Sequence, residues 1–149
     1  MAMKFFTREW WEKQGEDWEP FRRYEAYIAS VRPQLPTALL DLWEGHTLHD
    51  AEVKRLESRF QDRTVAMALD GWDRELQNPV RYSLVFGGVS EFDQILPPGP
   101  YLEEELGDLG YWECEFLNPF VELRMLFVSG AEFRVVFEEF SFEHRAREV

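Results

Sequence analysis

Apolar residues recur at steps of three and four through the first third of this chain, and at steps of two after about residue 63. The first spacing lines one stripe of a helix; the second lines one face of a strand. Thr7 is placed to cap a short helix bearing Trp10 and Trp11 and ended by Gly15. Asp17 and Pro20 open a second helix, in which Phe21, Tyr24, Tyr27, Ile28 and Val31 share one side until Pro33 and Pro36 stop it. Pro36 starts a third, with Leu39, Leu40 and Trp43 inward and Gly45 at its end. Trp10 and Trp11 are adjacent, so both cannot face one core, and one is expected at the surface.

In the second part Val65, Met67 and Leu69 alternate with smaller or polar residues up to a turn at Asp70-Gly71. Val80, Tyr82, Leu84 and Phe86 repeat the pattern and end at Gly87-Gly88. Trp112, Cys114 and Phe116 face one way, Glu113 and Glu115 the other. Val121, Leu123, Met125 and Phe127 follow a turn at Asn118-Pro119. A hairpin at Ser129-Gly130 leads to Phe133, Val135 and Phe137, and Phe140 and Phe142 resume after a one-residue slip that suggests a bulge. Residues 96–100 read as a loop, which Glu103 to Asp108 prolong. Strands joined by short turns argue for an antiparallel meander. The expected class is therefore α+β in one domain, 1–149: two or three N-terminal helices (1–45) packed on an antiparallel sheet of about five or six strands (46–149).

Residues 51–60 are ambiguous. Val53, Leu56 and Phe60 fit a helical stripe, while Ala51 and Val53, then Leu56 after a bulge, fit a strand. A resemblance bears on this segment. Met3-Lys4-Phe5-Phe6-Thr7-Arg8-Glu9-Trp10 and Thr47-Leu48-His49-Asp50-Ala51-Glu52-Val53 resemble stretches of a bacterial domain-of-unknown-function family, 4085-like. The second stretch also looks like the opening strand of some immunity proteins of bacterial toxin systems. The resemblance implies a strand at 51–60, and it brings no catalytic residues with it. The strand is adopted here, since it makes a simple hairpin with 64–70.

Composition narrows the class further. Hydrophobic residues make up 45% of the 149, which is too apolar for disorder despite a net charge of −13. A single cysteine, Cys114, excludes an internal disulfide framework. No apolar run nears the ~18 residues of a membrane span, and the N-terminus has no signal pattern, with Met3 the expected natural start. A cytoplasmic bacterial protein is expected. The charge is uneven: residues 1–63 carry −2 and residues 64–149 carry −11, with no Lys or Arg between Arg81 and Arg124. Such a field repels nucleic acid and anionic lipid and favours a basic protein partner. Glu103, Glu104, Glu105, Asp108, Glu113, Glu115 and Glu122 are the expected binding carboxylates, forming one connected acidic surface.

Other chemistry is thinly signalled. His46-Thr47-Leu48-His49-Asp50 holds the candidate acid–base pair His49 and Asp50, but the chain has only three His, and His-x-x-His lacks the four-residue step of helical metal hydrolases. His49 and Asp50 are expected to bond backbone where helix gives way to strand. Cys114 lies among apolar neighbours and reads as a core residue rather than a nucleophile. No metal or cofactor is expected, and the dinucleotide, phosphate-loop and nucleophile-elbow motifs are absent. Three function classes remain: a protein-binding module, in one form an immunity-type inhibitor; a small enzyme around His49 and Asp50; and a structural or regulatory domain that self-associates through a sheet edge.

Overall fold

A computed structural model describes residues 2–13, 17–97 and 105–148. Its helices are α1 (Arg8–Glu12), α2 (Glu19–Val31) and α3 (Thr37–Gly45). Its strands are β1 (Glu52–Arg59), β2 (Thr64–Trp72), β3 (Pro79–Gly87), β4 (Glu91–Ile95), β5 (Leu109–Phe116), β6 (Val121–Phe127), β7 (Glu132–Phe137) and β8 (Glu139–Ala146). The α+β class stands, with three helices preceding an all-antiparallel β part. The strands form two four-stranded sheets, ordered β1-β2-β3-β8 and β4-β7-β6-β5, where a single sheet of five or six was expected.

The division arises at one corner. β3 runs into β4 through Gly87-Gly88-Val89-Ser90, and β7 runs into β8 through Glu138 alone. The two bent strands stay paired: Glu138 N–H donates to Gly87 O (3.0 Å) and Ser90 N–H to Val136 O (2.9 Å). Gly88 has φ +59°, and a Cβ there would lie 3.0 Å from Glu138 Cβ, so the corner requires glycine. The slip between Phe137 and Phe140 is this bend. The inner faces meet across it, with the rings of Phe86 and Phe137 5.0 Å apart.

Local chemistry explains most boundaries. Thr7 Oγ1 accepts from Trp10 N–H (3.2 Å) and Asp17 Oδ1 from Glu19 N–H (2.9 Å), which starts α1 and α2. α1 ends at Glu12, and Gly15 lies outside the described residues. In α3 the fully buried positions are Leu39 and Leu42, with Trp43 and Leu40 half-buried. Residues 52–59 are a strand, with a bulge between Val53 and Arg55 that produced the helix-like spacing. Phe60 belongs to the turn and is 95% exposed. β2 continues through Asp70-Gly71 to Trp72, and the turn lies beyond it, where Asp73 accepts from Gln77 N–H and Asn78 Nδ2. β4 escapes the period-two reading because only Phe92 and Ile95 of its five residues are apolar and neither is fully buried.

Sheet edges are handled in different ways. β1 carries Lys54, Arg55, Glu57 and Arg59, paired among themselves and with Glu52, and such charge discourages strand addition. The β5 edge is covered by α2. Tyr24 Oη accepts from Cys114 N–H (2.7 Å) and Tyr27 Oη from Phe116 N–H (2.8 Å). Residues three apart on a helix thus satisfy amides two apart on a strand.

Candidate binding cleft

The site begins with a defect in β5. The pairing of β5 with β6 shifts between Leu109 and Tyr111, which leaves Gly110 as a bulge. A Cβ at Gly110 would lie 2.2 Å from Trp11 Cη2, so the glycine is what allows the indole to rest on the strand. Tyr111 then collects aromatic neighbours, with ring centroids of Phe6, Trp10 and Trp11 at 5.6, 5.0 and 5.1 Å. Trp10 and Trp11 are therefore both half-buried, where one was expected at the surface: Trp10 points into the Phe6 and Phe21 cluster, and Trp11 covers Gly110.

The segment between α3 and β1 closes onto this bulge. Asp50 N–H donates to Leu109 O and Leu109 N–H to Ala51 O, both at 2.8 Å. Thr47 Oγ1 accepts from His49 N–H (3.1 Å), and Asp50 takes φ +65°. This turn aims His49 at β5, where Nδ1 lies 2.6 Å from Gly110 O. A carbonyl only accepts, so Nδ1 carries the hydrogen, and in the neutral ring Nε2 is an acceptor. The expectation that His49 bonds backbone is met.

A cleft of about 280 Å³ opens between these parts. Phe6, Phe21, Trp43, Tyr111 and Trp112 form its walls, and Thr47, His49 and Gly110 supply its polar atoms. Asp50 stands at its margin, with its Oδ1 3.6 Å from His49 Nε2, beyond hydrogen-bond distance. The exposed carboxylates of Glu52 and Asp108 lie near Asp50. Burial, reinforced by the charges of Asp50 and Glu52, raises the Asp108 carboxyl above its ordinary range. The Tyr111 hydroxyl is raised as well, by burial and then by Asp50. The cleft is aromatic within, with the Asp50 carboxylate beside His49; Glu52 and Asp108 line a separate opening.

The seven expected binding carboxylates do not form one surface. Glu103 and Glu104 lie outside the described residues. Glu105 and Asp108 are exposed. Glu113 and Glu122 are buried, which corrects the expectation of a connected acidic face across β5 and β6. Both share Arg124, itself without exposure: its Nη2 lies 2.6 Å from Glu113 and its Nη1 2.6 Å from Glu122 and 2.9 Å from Glu115. Arg134 reaches Glu122, Glu91 and Asp93. The cation-free stretch of sequence misled because register, not sequence distance, selects partners: Glu113 faces Arg124, and Arg134 faces Asp93. Glu113 also accepts from the N–H groups of Lys4, Phe5 and Phe6, and Glu132 from those of Ala2 and Met3. These carboxylates hold the N-terminal segment against the outer face of the second sheet.

Two other candidates resolve as structure. Cys114 is buried against Tyr24 Oη, and burial pushes its thiol up to about 11. His46 packs against His144 in a tilted arrangement with ring centroids 4.4 Å apart, near Tyr82 and Phe142. Among the described residues, no three or more His, Cys, Asp or Glu side chains gather in a way that could hold a metal ion. Nor is any helix long and apolar enough to cross a membrane. Sequence reasoning missed Gly110, Tyr111 and Trp43 as cleft residues, since the aromatics read only as core. The one available signal was the glycine interrupting the alternation ahead of Trp112. No protein-family model and no curated protein matches this chain.

Proposed function

We propose that this chain is a protein-binding module that meets a basic protein partner through the face bearing the cleft, Asp50, Glu52 and Asp108. An immunity-type inhibitor is the specific form this reading takes, in keeping with the likeness of 47–53 to such proteins. The observation that carries it is the make-up of the cleft, five aromatic walls with few polar atoms, together with the Asp50 carboxylate beside its His49 and Asp108 near Asp50. Binding surfaces draw most of their energy from aromatic anchors within a polar rim, and unlike charges speed encounter. The charges left to meet a partner are fewer than the sequence suggests, because Glu113, Glu115 and Glu122 are taken up by Arg124 and its neighbours.

A small enzyme around His49 and Asp50 is the second reading, favoured by the position of His49 in the cleft. It is the weaker one, because His49 Nδ1 is committed to Gly110 O and Asp50 is 3.6 Å from Nε2. Surface-bound chain exposed to a panel of basic proteins, including the product of any adjacent toxin gene, separates the readings. Association with a true partner is expected to slow as salt rises and to slow further when Asp50 and Asp108 are both changed to Lys. An association rate indifferent to both changes would reject the module reading at this face.

A further inference from the structure

Resting on the module reading, we propose that the cleft receives an arginine side chain from the partner. The inference comes from hydrogen-bonding capacity rather than from shape. Gly110 O takes the hydrogen of His49 Nδ1, so the neutral ring presents a bare lone pair at Nε2. Asp50 Oδ1, 3.6 Å away, is a second acceptor, and the pair is too far apart to satisfy one another. The side chains of His49 and Asp50 are 41% and 52% exposed, so both acceptors are open to an incoming group. Two adjacent acceptors call for a group that only donates, and the charges of Asp50 and the nearby Asp108 call for one that is positive, Glu52 being already paired with Lys54.

Lysine and arginine both qualify on charge; the walls distinguish them. Phe6 and Trp112 are buried, whereas Phe21, Trp43 and Tyr111 are half-buried, and it is these three that offer flat π surfaces. A guanidinium is planar, stacks on such faces, and presents its donors as a fork able to span neighbouring acceptors. An ammonium is a compact, strongly hydrated point charge that gains less from the same walls. An anionic group would meet Asp50 and Asp108, and an apolar side chain would leave the His49 and Asp50 acceptors without donors other than water.

The test uses the whole chain and four small probes: N-acetyl-arginine methylamide, the citrulline analogue of equal shape but no charge, and the lysine and leucine analogues. Proton–nitrogen correlation spectra follow each titration. The arginine probe is expected to shift the amides of Thr47, His49, Gly110 and Tyr111 and the indole N–H of Trp43, saturably, at millimolar concentration. Its affinity should exceed that of citrulline by about five-fold or more, the scale of a cation–π and charged hydrogen-bond gain. Asp50→Asn and His49→Phe should each weaken it, whereas Asp62→Asn, at the distant β1–β2 turn, should not. Unchanged dispersion of the remaining peaks shows that each variant is folded.

Equal binding of citrulline, preference for lysine or leucine, or shifts confined to other surfaces would overturn the arginine assignment. So would the absence of any shift at probe saturation of solubility. The outcomes for the two readings are separable. A basic partner whose association depends on Asp50 and Asp108 while the arginine probe is ignored retains the module and removes the arginine. An arginine probe that binds the cleft, while no basic protein's association responds to those residues, retains the cation site and removes the module.

Discussion

Glu113 and Arg124 face each other across β5 and β6 with 2.6 Å between Oε2 and Nη2, and neither has any exposure to solvent. Their pairing is the hub of the network that replaces the expected acidic surface. Arg124 contacts three carboxylates at once, and Glu113 spends its remaining capacity on the amides of residues 4–6. A buried pair of this kind is not strong evidence of net stabilisation, since desolvation opposes the Coulomb gain. Breaking it from one side is nonetheless costly.

Arg124→Met is therefore expected to destabilise the fold by roughly 3–5 kcal/mol, because Glu113 is left buried with no cation beside it, while Glu122 keeps only Arg134. Urea denaturation followed by tryptophan fluorescence measures the change. Adding Glu113→Gln to that variant should recover part of the loss by removing one uncompensated charge. If the single variant matches wild type, the network is not buried as described.

The tyrosine caps on β5 are expected to differ. Tyr24→Phe removes the acceptor of the buried Cys114 N–H, a loss of about 1–3 kcal/mol. Tyr27 is less buried, so Phe116 N–H can turn to water and Tyr27→Phe should cost less. Amide exchange at Cys114 and Phe116, alongside denaturation, reports each site separately.

Cys114 should be chemically quiet. With its thiol pushed up to about 11 by burial, almost none is thiolate at neutral pH. A thiol reagent is expected to react only as fast as the chain opens, and fully in denaturant. Rapid labelling of the folded chain would show that the site is accessible.

Stability should fall on acidification, by three routes of the same sign. A hydrogen bond from Arg81 holds the Asp70 carboxyl below its usual range, although burial opposes it. Burial also opposes ionisation of Glu115, but Lys4 and Arg124 outweigh it, and its carboxyl is lowered too. Both contributions are complete above the unfolded carboxylate values of about 4 and are lost as pH falls through the lowered folded values. His46 is held low by burial and by His144, with Asp41 opposing, so the folded state takes up its proton less readily than the unfolded chain. Its contribution is lost as pH falls from the ordinary histidine value near 6.5 towards the lowered one. Thermal melts between pH 8 and pH 3 should show decline in both ranges, and His46→Phe should remove most of the upper one.

Gly110→Ala is expected to displace Trp11, since the new Cβ would meet the indole at 2.2 Å. The variant should lose stability and red-shift tryptophan emission. Unaltered emission and stability would show that the indole does not lie on the bulge.

What the sequence determined alone was local. Thr7 and Asp17 start helices because their oxygens reach amides two or three residues on, and Val65, Met67 and Leu69 face inward because strand side chains alternate. The α+β order and the burial of Cys114 follow from such near-neighbour rules, whereas the bond of the His49 ring joins it to Gly110 O, 61 positions along the chain. Tertiary structure decided whatever depended on strand register and on the bend between sheets. The residues that make one corner out of Gly88 and Glu138, or one ion network out of Glu113, Arg124 and Arg134, are 10 to 50 positions apart in the chain. The cleft belongs to the second kind. Phe6, Trp43, His49 and Tyr111 come from four separate segments, and their spacing carries no signal, because an aromatic that lines a cleft and one that fills a core satisfy the same apolar pattern. Only the bulge at Gly110 and the turn at Asp50 bring them to one opening.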